Sequence, residues 1–273
     1  MKKRNFFVVF SMSIIHMVGI EQKPPTPKIN YKILILIIAG IIAFQSFLIY
    51  FGESELSDDL SSAAAIVGTL ATSIASFVIA KRYKGSKIFG KAYFSLGIAY
   101  FSVFLAEITY LIYEKFLGLD PYPSIADVFF FSLYPFALIH LILNIRFFNP
   151  DFSLLTKIWL LLFPISVIII YIYFSLQIFE KPDFDFYYGI IFVSGSLVTM
   201  TFALLAAKIF RKGTLGAAWL LLVLGILLNT IGDVWYYSLE VLGEYTLEHP
   251  VNLFWQGSYW IIIYALYKHK NAL

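Results

Sequence analysis

Eight stretches of the chain each run for about twenty mostly apolar residues, and nothing else in the sequence limits its fold as strongly. They lie at about 31–51, 60–80, 92–113, 125–145, 155–179, 186–207, 214–238 and 251–267, each closed by a short loop with charged residues, Pro or Gly. A helix of about 20 apolar residues crosses a hydrocarbon core of about 30 Å, and in lipid only helices and closed barrels satisfy every backbone polar group. Composition agrees. Hydrophobic residues make up 60% of the chain and charged residues 14%, with a mean hydropathy of +0.81, against roughly 45–50% and 25% in a soluble domain. The expected class is an all-α polytopic membrane protein of eight transmembrane helices.

The charges then orient it. KRYKGSK at 81–87, Arg146 to Lys157, KIFRKG at 208–213 and KHK at 268–270 are basic, and they alternate with acidic loops: ESELSDD at 53–59, EKFLGLD at 114–120, EKPDFD at 180–185, and Glu240, Glu244 and Glu248. Of the 20 Lys and Arg, only Lys115 and Lys181 fall on the acidic side. The positive-inside rule therefore places both termini in the cytoplasm of a chain that crosses the cell membrane many times. Residues 1–22 hold a basic start and an apolar run from Phe6 to Ile20 that is short for a span, and a ninth crossing would invert every later loop. The segment 1–30 is thus read as an extension. It is an interfacial helix, a signal-like segment, or a stretch preceding a true start at Met17.

Positions about 126 residues apart match in type. GTLAT at 68–72 corresponds to GSLVT at 195–199; Glu107 and Tyr110 correspond to Asp233 and Tyr236; Asp127 and Tyr134 correspond to Asn252 and Tyr259. These matches divide the chain into four-helix repeats at 31–146 and 147–273. Four spans per unit makes the two repeats parallel, related by an axis along the membrane normal, with any shared site near that axis.

Ionisable groups inside a span are costly and usually face a cavity or a partner. Glu107 and Asp233 lie well within their helices, while Asp127, Asn252 and Gln256 stand at the outer ends of theirs. Tyr110 and Tyr236 follow the two acids by nearly one turn, and Tyr134 and Tyr259 fall two turns below Asp127 and Asn252. These nine residues form the expected ligand- or proton-binding vestibule. Structural roles remain open for several. Ser124 to Asp127 fits a capping box, Asn252 follows Pro250 at a helix start, and Glu107 and Asp233 could hydrogen-bond each other. His140 reads as a hydrogen-bonded packing residue, and Trp219, Trp235, Trp255 and Trp260 as packing or interface residues.

Several chemistries have no signal. With no cysteine there is no thiolate site or disulfide. The nucleotide, hydrolase and metallo-hydrolase motifs are missing, so no catalytic residue, metal or cofactor is expected. The short, scattered basic loops give no reason to expect nucleic-acid binding.

PYPSIADVFFFSLYPF at 121–136, after AEITYLIY at 106–113, together with IGDVWYY at 231–237 and VNLFWQGSYW at 251–260, resembles the multi-span sensor regions that precede GGDEF, PAS or histidine-kinase modules in prokaryotic signalling proteins. The resemblance covers spans 3–4 and 7–8. Two departures limit it: Asn252 stands where an acid is common, and Leu273 follows the last span closely. It therefore implies a membrane-embedded sensing role and no kinase or cyclase activity. The expected function is reception of a small or lipophilic ligand in an outward-facing vestibule, passed to a separate cytoplasmic or membrane protein partner. A small secondary transporter, proton-coupled or not, and a structural subunit of a membrane complex are the alternatives.

Overall fold

Long apolar runs with few breaks between the charged loops fold as helices in the described residues. A computed structural model describes residues 29–52, 54–148, 151–179, 181–210, 216–246 and 248–271. The readings made for most of the N-terminal extension lie outside these residues. The helices are α1 (Tyr31–Phe51), α2 (Glu55–Arg82), α3 (Phe89–Leu111, continued by a π-helical turn over Ile112–Leu117), α4 (Ile125–Phe148), α5 (Leu154–Ile178), α6 (Phe184–Phe210), α7 (Gly216–Leu242) and α8 (Asn252–Asn271). No strand occurs among the described residues.

The first seven are long and apolar enough to cross a membrane, which makes this a multi-helical membrane protein. The eighth has 20 residues but carries Asn252, Gln256, Ser258, Lys268, His269 and Lys270. Most of these polar groups lie against protein: Asn252, Gln256, Ser258 and His269 are all buried.

Local signals set the ends. Asn30, Ser54 and Ser153 accept hydrogen bonds from backbone N–H groups in the first turns of α1, α2 and α5, as N-caps do. Gly52, Gly118 and Gly243, after α1, α3 and α7, take positive φ angles of 60°, 63° and 67° that a side chain would resist.

Six helices close a ring in the order α2, α3, α4, α6, α7, α8 and back to α2, while α1 lies outside against α8 and α5 outside against α6. Only Gln45 and Leu48 of α1 are buried. The interior is filled by side chains. At the end bearing the basic loops, Tyr93 and Trp219 approach with ring centroids 5.9 Å apart, His269 hydrogen-bonds Tyr93, and His140 donates from Nδ1 to the Ala92 carbonyl, 2.9 Å away. Because a carbonyl only accepts, this Nδ1 carries the proton. His140 is therefore a packed, hydrogen-bonded residue. His269, which the sequence places in a basic tail, is fully buried.

Between helices, small polar residues hold the contacts. Ser73 donates to the Gly97 carbonyl at 2.9 Å and Ser95 to the Phe136 carbonyl at 2.7 Å. Such short hydroxyl contacts stand in for a hydrophobic driving force that lipid does not supply.

Candidate functional site at the acidic end of the bundle

The acidic loops gather at the opposite end, and beneath them lies the polar cluster. Asp233 of α7 is its most connected member. Its Oδ2 accepts from Tyr134 Oη at 3.1 Å, Ser196 Oγ at 3.3 Å and Asn229 Nδ2 at 3.1 Å, and its Oδ1 accepts from Trp255 Nε1 at 2.8 Å. Four donors from α4, α6, α7 and α8 thus meet one buried carboxylate, which burial would otherwise penalise heavily. Glu107 is not among them, so the two acids share no hydrogen bond.

Missing side chains make this convergence possible. A Cβ at Gly195 would stand 2.6 Å from the Tyr134 ring, so the bare α6 backbone is what lets that ring lie across it with its hydroxyl on Asp233. A Cβ at Gly232 would stand 3.0 Å from Trp255 Nε1, so the first turn of α8 closes on α7 and delivers the indole. A third notch sits across the ring. At Gly68 of α2 the same added carbon would stand 2.6 Å from the Tyr259 ring of α8. Tyr259 in turn packs edge-on to Tyr100, whose hydroxyl lies 3.1 Å from Ser258 Oγ.

Glu107 is placed differently. It is partly buried in α3, within Coulombic range of Tyr110, Tyr245 and Tyr259. Its carboxylate has no hydrogen-bond or ion-pair partner among the described residues, where the one ion pair joins Lys115 to Asp59 at 2.9 Å.

Residues 243–246 and 248–251, between α7 and α8, lie over this side of the cluster. Gln45 of α1 donates its amide to the Glu248 carbonyl at 2.7 Å, and Tyr245 packs against Tyr236 with centroids 4.7 Å apart. The Tyr245 hydroxyl is hydrogen-bonded to Asn252. Burial pushes its phenol up from the ordinary tyrosine value, and the nearby Glu107 charge adds to the effect, so Tyr245 stays neutral. Glu248 is 7% exposed, with an Oε1 that has no hydrogen-bond partner among the described residues. Tyr245 therefore stands within Coulombic range of two carboxylates, Glu107 and Glu248, that each keep unused acceptor capacity.

Asp127 has both a structural and a site-like contact. Its Oδ2 accepts from Ser124 N at 2.6 Å, closing the capping box, and its Oδ1 accepts from Tyr188 Oη at 2.7 Å. Tyr188 packs on Tyr122, whose hydroxyl donates to Asp185 at 2.6 Å and latches the loop before α4 onto α6. Tyr110, against Phe130, is within Coulombic range of both Asp127 and Glu107. Tyr236 packs on Trp255 at 5.5 Å. Gln256 falls elsewhere: it is buried in a groove between α1, α2 and α8 lined by Leu36, Phe44 and Val67.

Sequence reasoning did not single out Ser196, Asn229, Tyr188, Tyr245 or Gln45, and took Trp255 for packing. Asn229 stands one turn before Asp233, the one local signal that would have found a partner. Among the described residues no group of three or more His, Asp or Glu is arranged to hold a metal ion. No protein-family model, curated protein or solved structure matches the chain.

Proposed function

We propose that this protein is an integral membrane sensing module of the cell membrane, with eight spans in two parallel four-helix repeats and both termini in the cytoplasm. In this reading the cluster under the acidic loops is an outward-facing vestibule. Glu107 receives a proton or a small, lipophilic cation there, and the change passes to a separate protein partner; no chemistry is performed on the ligand. The module would be kin to the membrane sensor regions of prokaryotic signalling proteins that its motifs resemble.

The contrast between the two acids carries the reading. Asp233 is saturated by four donors. At the positions matching Asn229 and Trp255 in the first repeat stand Val103 and Phe130, which offer no donor, and the hydroxyl of Thr69, matching Ser196, is bonded to the Ala65 and Ile66 carbonyls of its own helix. Glu107 thereby keeps, among the described residues, an unpartnered carboxylate within Coulombic range of Tyr110, Tyr245 and Tyr259. Carboxylates and aromatic faces together suit a cation.

The repeat reading is supported by reciprocity. Gly68 receives Tyr259 as Gly195 receives Tyr134, each pairing a glycine of one half with a tyrosine of the other. The helix ring repeats its order after four elements, and α3 and α7 both end at left-handed glycines 125 positions apart, Gly118 and Gly243. Ligand or proton binding on one side of such a paired assembly would shift how the halves pack, which is how a signal could leave the site.

Sensing is favoured over transport because the basic half of the ring is filled by Tyr93, Trp219, His140 and His269. The test is reconstitution of the full chain in liposomes, with proton and choline flux measured beside amide exchange in the 243–251 loop. The expected result is no flux, with exchange that responds to acidification or choline in the wild type and not in Glu107→Gln. Flux that Glu107→Gln abolishes would replace the sensing reading with a carrier.

A further inference from the structure

At the opposite, basic end the surface opens into a groove of about 940 Å³ between α2, α3 and α4. Its deep part is apolar, formed by Phe77, Phe94, Ile98, Phe136 and Ile139. All five belong to membrane-spanning helices, and Phe94 and Ile139 are 54% and 44% exposed, toward what would be lipid. Its mouth is rimmed by Lys81, Lys84, Lys87 and Lys91.

Four exposed ammonium groups at one opening repel each other and lower the stability of the bundle unless something negative joins them. Nothing among the described residues does. No carboxylate lines the groove, and the ion pair found among the described residues lies at the other end. The geometry is also built. Ser95, part of the lining, is tied to the Phe136 carbonyl at 2.7 Å, which fixes α3 to α4 along the floor. A Cβ at Gly97 would stand 2.6 Å from the Phe77 ring, so that ring is held over α3 by a missing side chain, with Phe94 5.4 Å away.

We propose that this groove binds an anionic phospholipid, with its acyl chain along Phe77, Phe94, Ile98 and Ile139 and its phosphate among Lys84, Lys87 and Lys91. Topology alone accounts for basic loops on one side of a membrane, but it does not require four lysines to converge on a single apolar groove. A soluble anion would satisfy the lysines and leave the apolar floor unused, whereas a lipid with a charged headgroup uses both. The inference does not depend on the vestibule or on what Glu107 binds.

Native mass spectrometry of the full chain in detergent tests it, with phosphatidylglycerol and phosphatidylcholine of matched acyl chains as probes and inorganic phosphate as competitor. Phosphatidylglycerol should bind at least about tenfold more tightly, and the triple variant Lys84→Ala, Lys87→Ala, Lys91→Ala should erase that preference, as expected when each lysine near a headgroup contributes. These lysines are exposed, so the variant keeps its fold, which the unliganded unfolding midpoint checks. A second variant, Ile98→Trp, should weaken binding of both lipids without changing their ratio. Equal binding of the two lipids, an unaffected triple variant, or displacement by inorganic phosphate at the lipid's own concentration would each overturn the proposal.

Discussion

The Tyr134 hydroxyl donates to Asp233 Oδ2 at 3.1 Å from a ring that lies across Gly195, so a single tyrosine ties α4 to both α6 and α7. It is one of four donors to that carboxylate, and the most local energetic consequences of the fold follow from it. Tyr134→Phe should keep the ring contact and lose the hydrogen bond, costing about 1.5–2 kcal/mol, at the low end of the range for a bond to a charged group. Asp233→Ala should cost more, about 3–4 kcal/mol, since it leaves Trp255 Nε1 and Asn229 Nδ2 buried without an acceptor. Reversible unfolding in mixed micelles measures both. A double variant no worse than Asp233→Ala alone would show that Tyr134 acts through that carboxylate.

The two glycine notches that receive tyrosine rings should respond alike. Gly195→Ala and Gly68→Ala each put a methyl carbon 2.6 Å from a tyrosine ring, and overpacking of this kind costs about 1–3 kcal/mol. Shortening the ring's residue in the same chain, Gly195→Ala with Tyr134→Leu or Gly68→Ala with Tyr259→Leu, should recover part of the loss. The recovery is read as non-additivity in the same unfolding assay, and matching values at the two sites would agree with a twofold-related pair of halves.

Glu107 and Asp233 should separate on neutralisation. Asp233→Asn presents an amide NH2 to donors that need an acceptor and should destabilise by about 2 kcal/mol or more. Glu107→Gln breaks no hydrogen bond found among the described residues and should fall within about 0.5 kcal/mol of the wild type, as substitutions away from such networks do. Parallel unfolding of the two variants decides this, and equal losses would mean that Glu107 has a structural partner.

The cover over the site is held by few contacts. Gln45 is 2% exposed and bonds the Glu248 carbonyl at 2.7 Å and the His249 carbonyl at 3.3 Å. Gln45→Leu should leave α1 in place, because most of its other side chains already face outward, and should speed amide exchange over 243–251 while sparing α6 and α7. Exchange mapped by mass spectrometry shows whether the effect stays in the loop.

Helix placement was legible in the sequence for a physical reason: a run of about twenty apolar residues has few structural options in lipid. The observed helices extend past several expected ends, as at Glu55–Arg82 against 60–80, because polar residues outside the hydrocarbon still propagate a helix. Asp233 and Tyr134 were legible as polar residues in costly places. Their bond was not, since it depends on which helices become neighbours and on a glycine that admits the ring. Ser196 and Asn229 look ordinary in an apolar run and matter only through Asp233. Tyr245 and Gln45 escaped notice because a loop that folds back over a bundle leaves no periodic pattern. Asp127 admitted two readings and makes both contacts, while Gln256 shares the expected depth with the cluster but faces a different groove.

The central claim is that Glu107 lines a vestibule open toward the acidic face and covered by Tyr245. Because the chain contains no cysteine, single-cysteine variants report without background. Glu107→Cys, Asp233→Cys and Lys84→Cys, expressed in intact cells and exposed to a membrane-impermeant maleimide, place each position. The account predicts that Glu107→Cys is labelled from outside, faster when Tyr245→Ala removes the cover, while Asp233→Cys stays protected and Lys84→Cys reacts only after the cells are opened. Glu107→Cys that resists labelling with Tyr245 removed, or that reacts only from the side of Lys84→Cys, would contradict it.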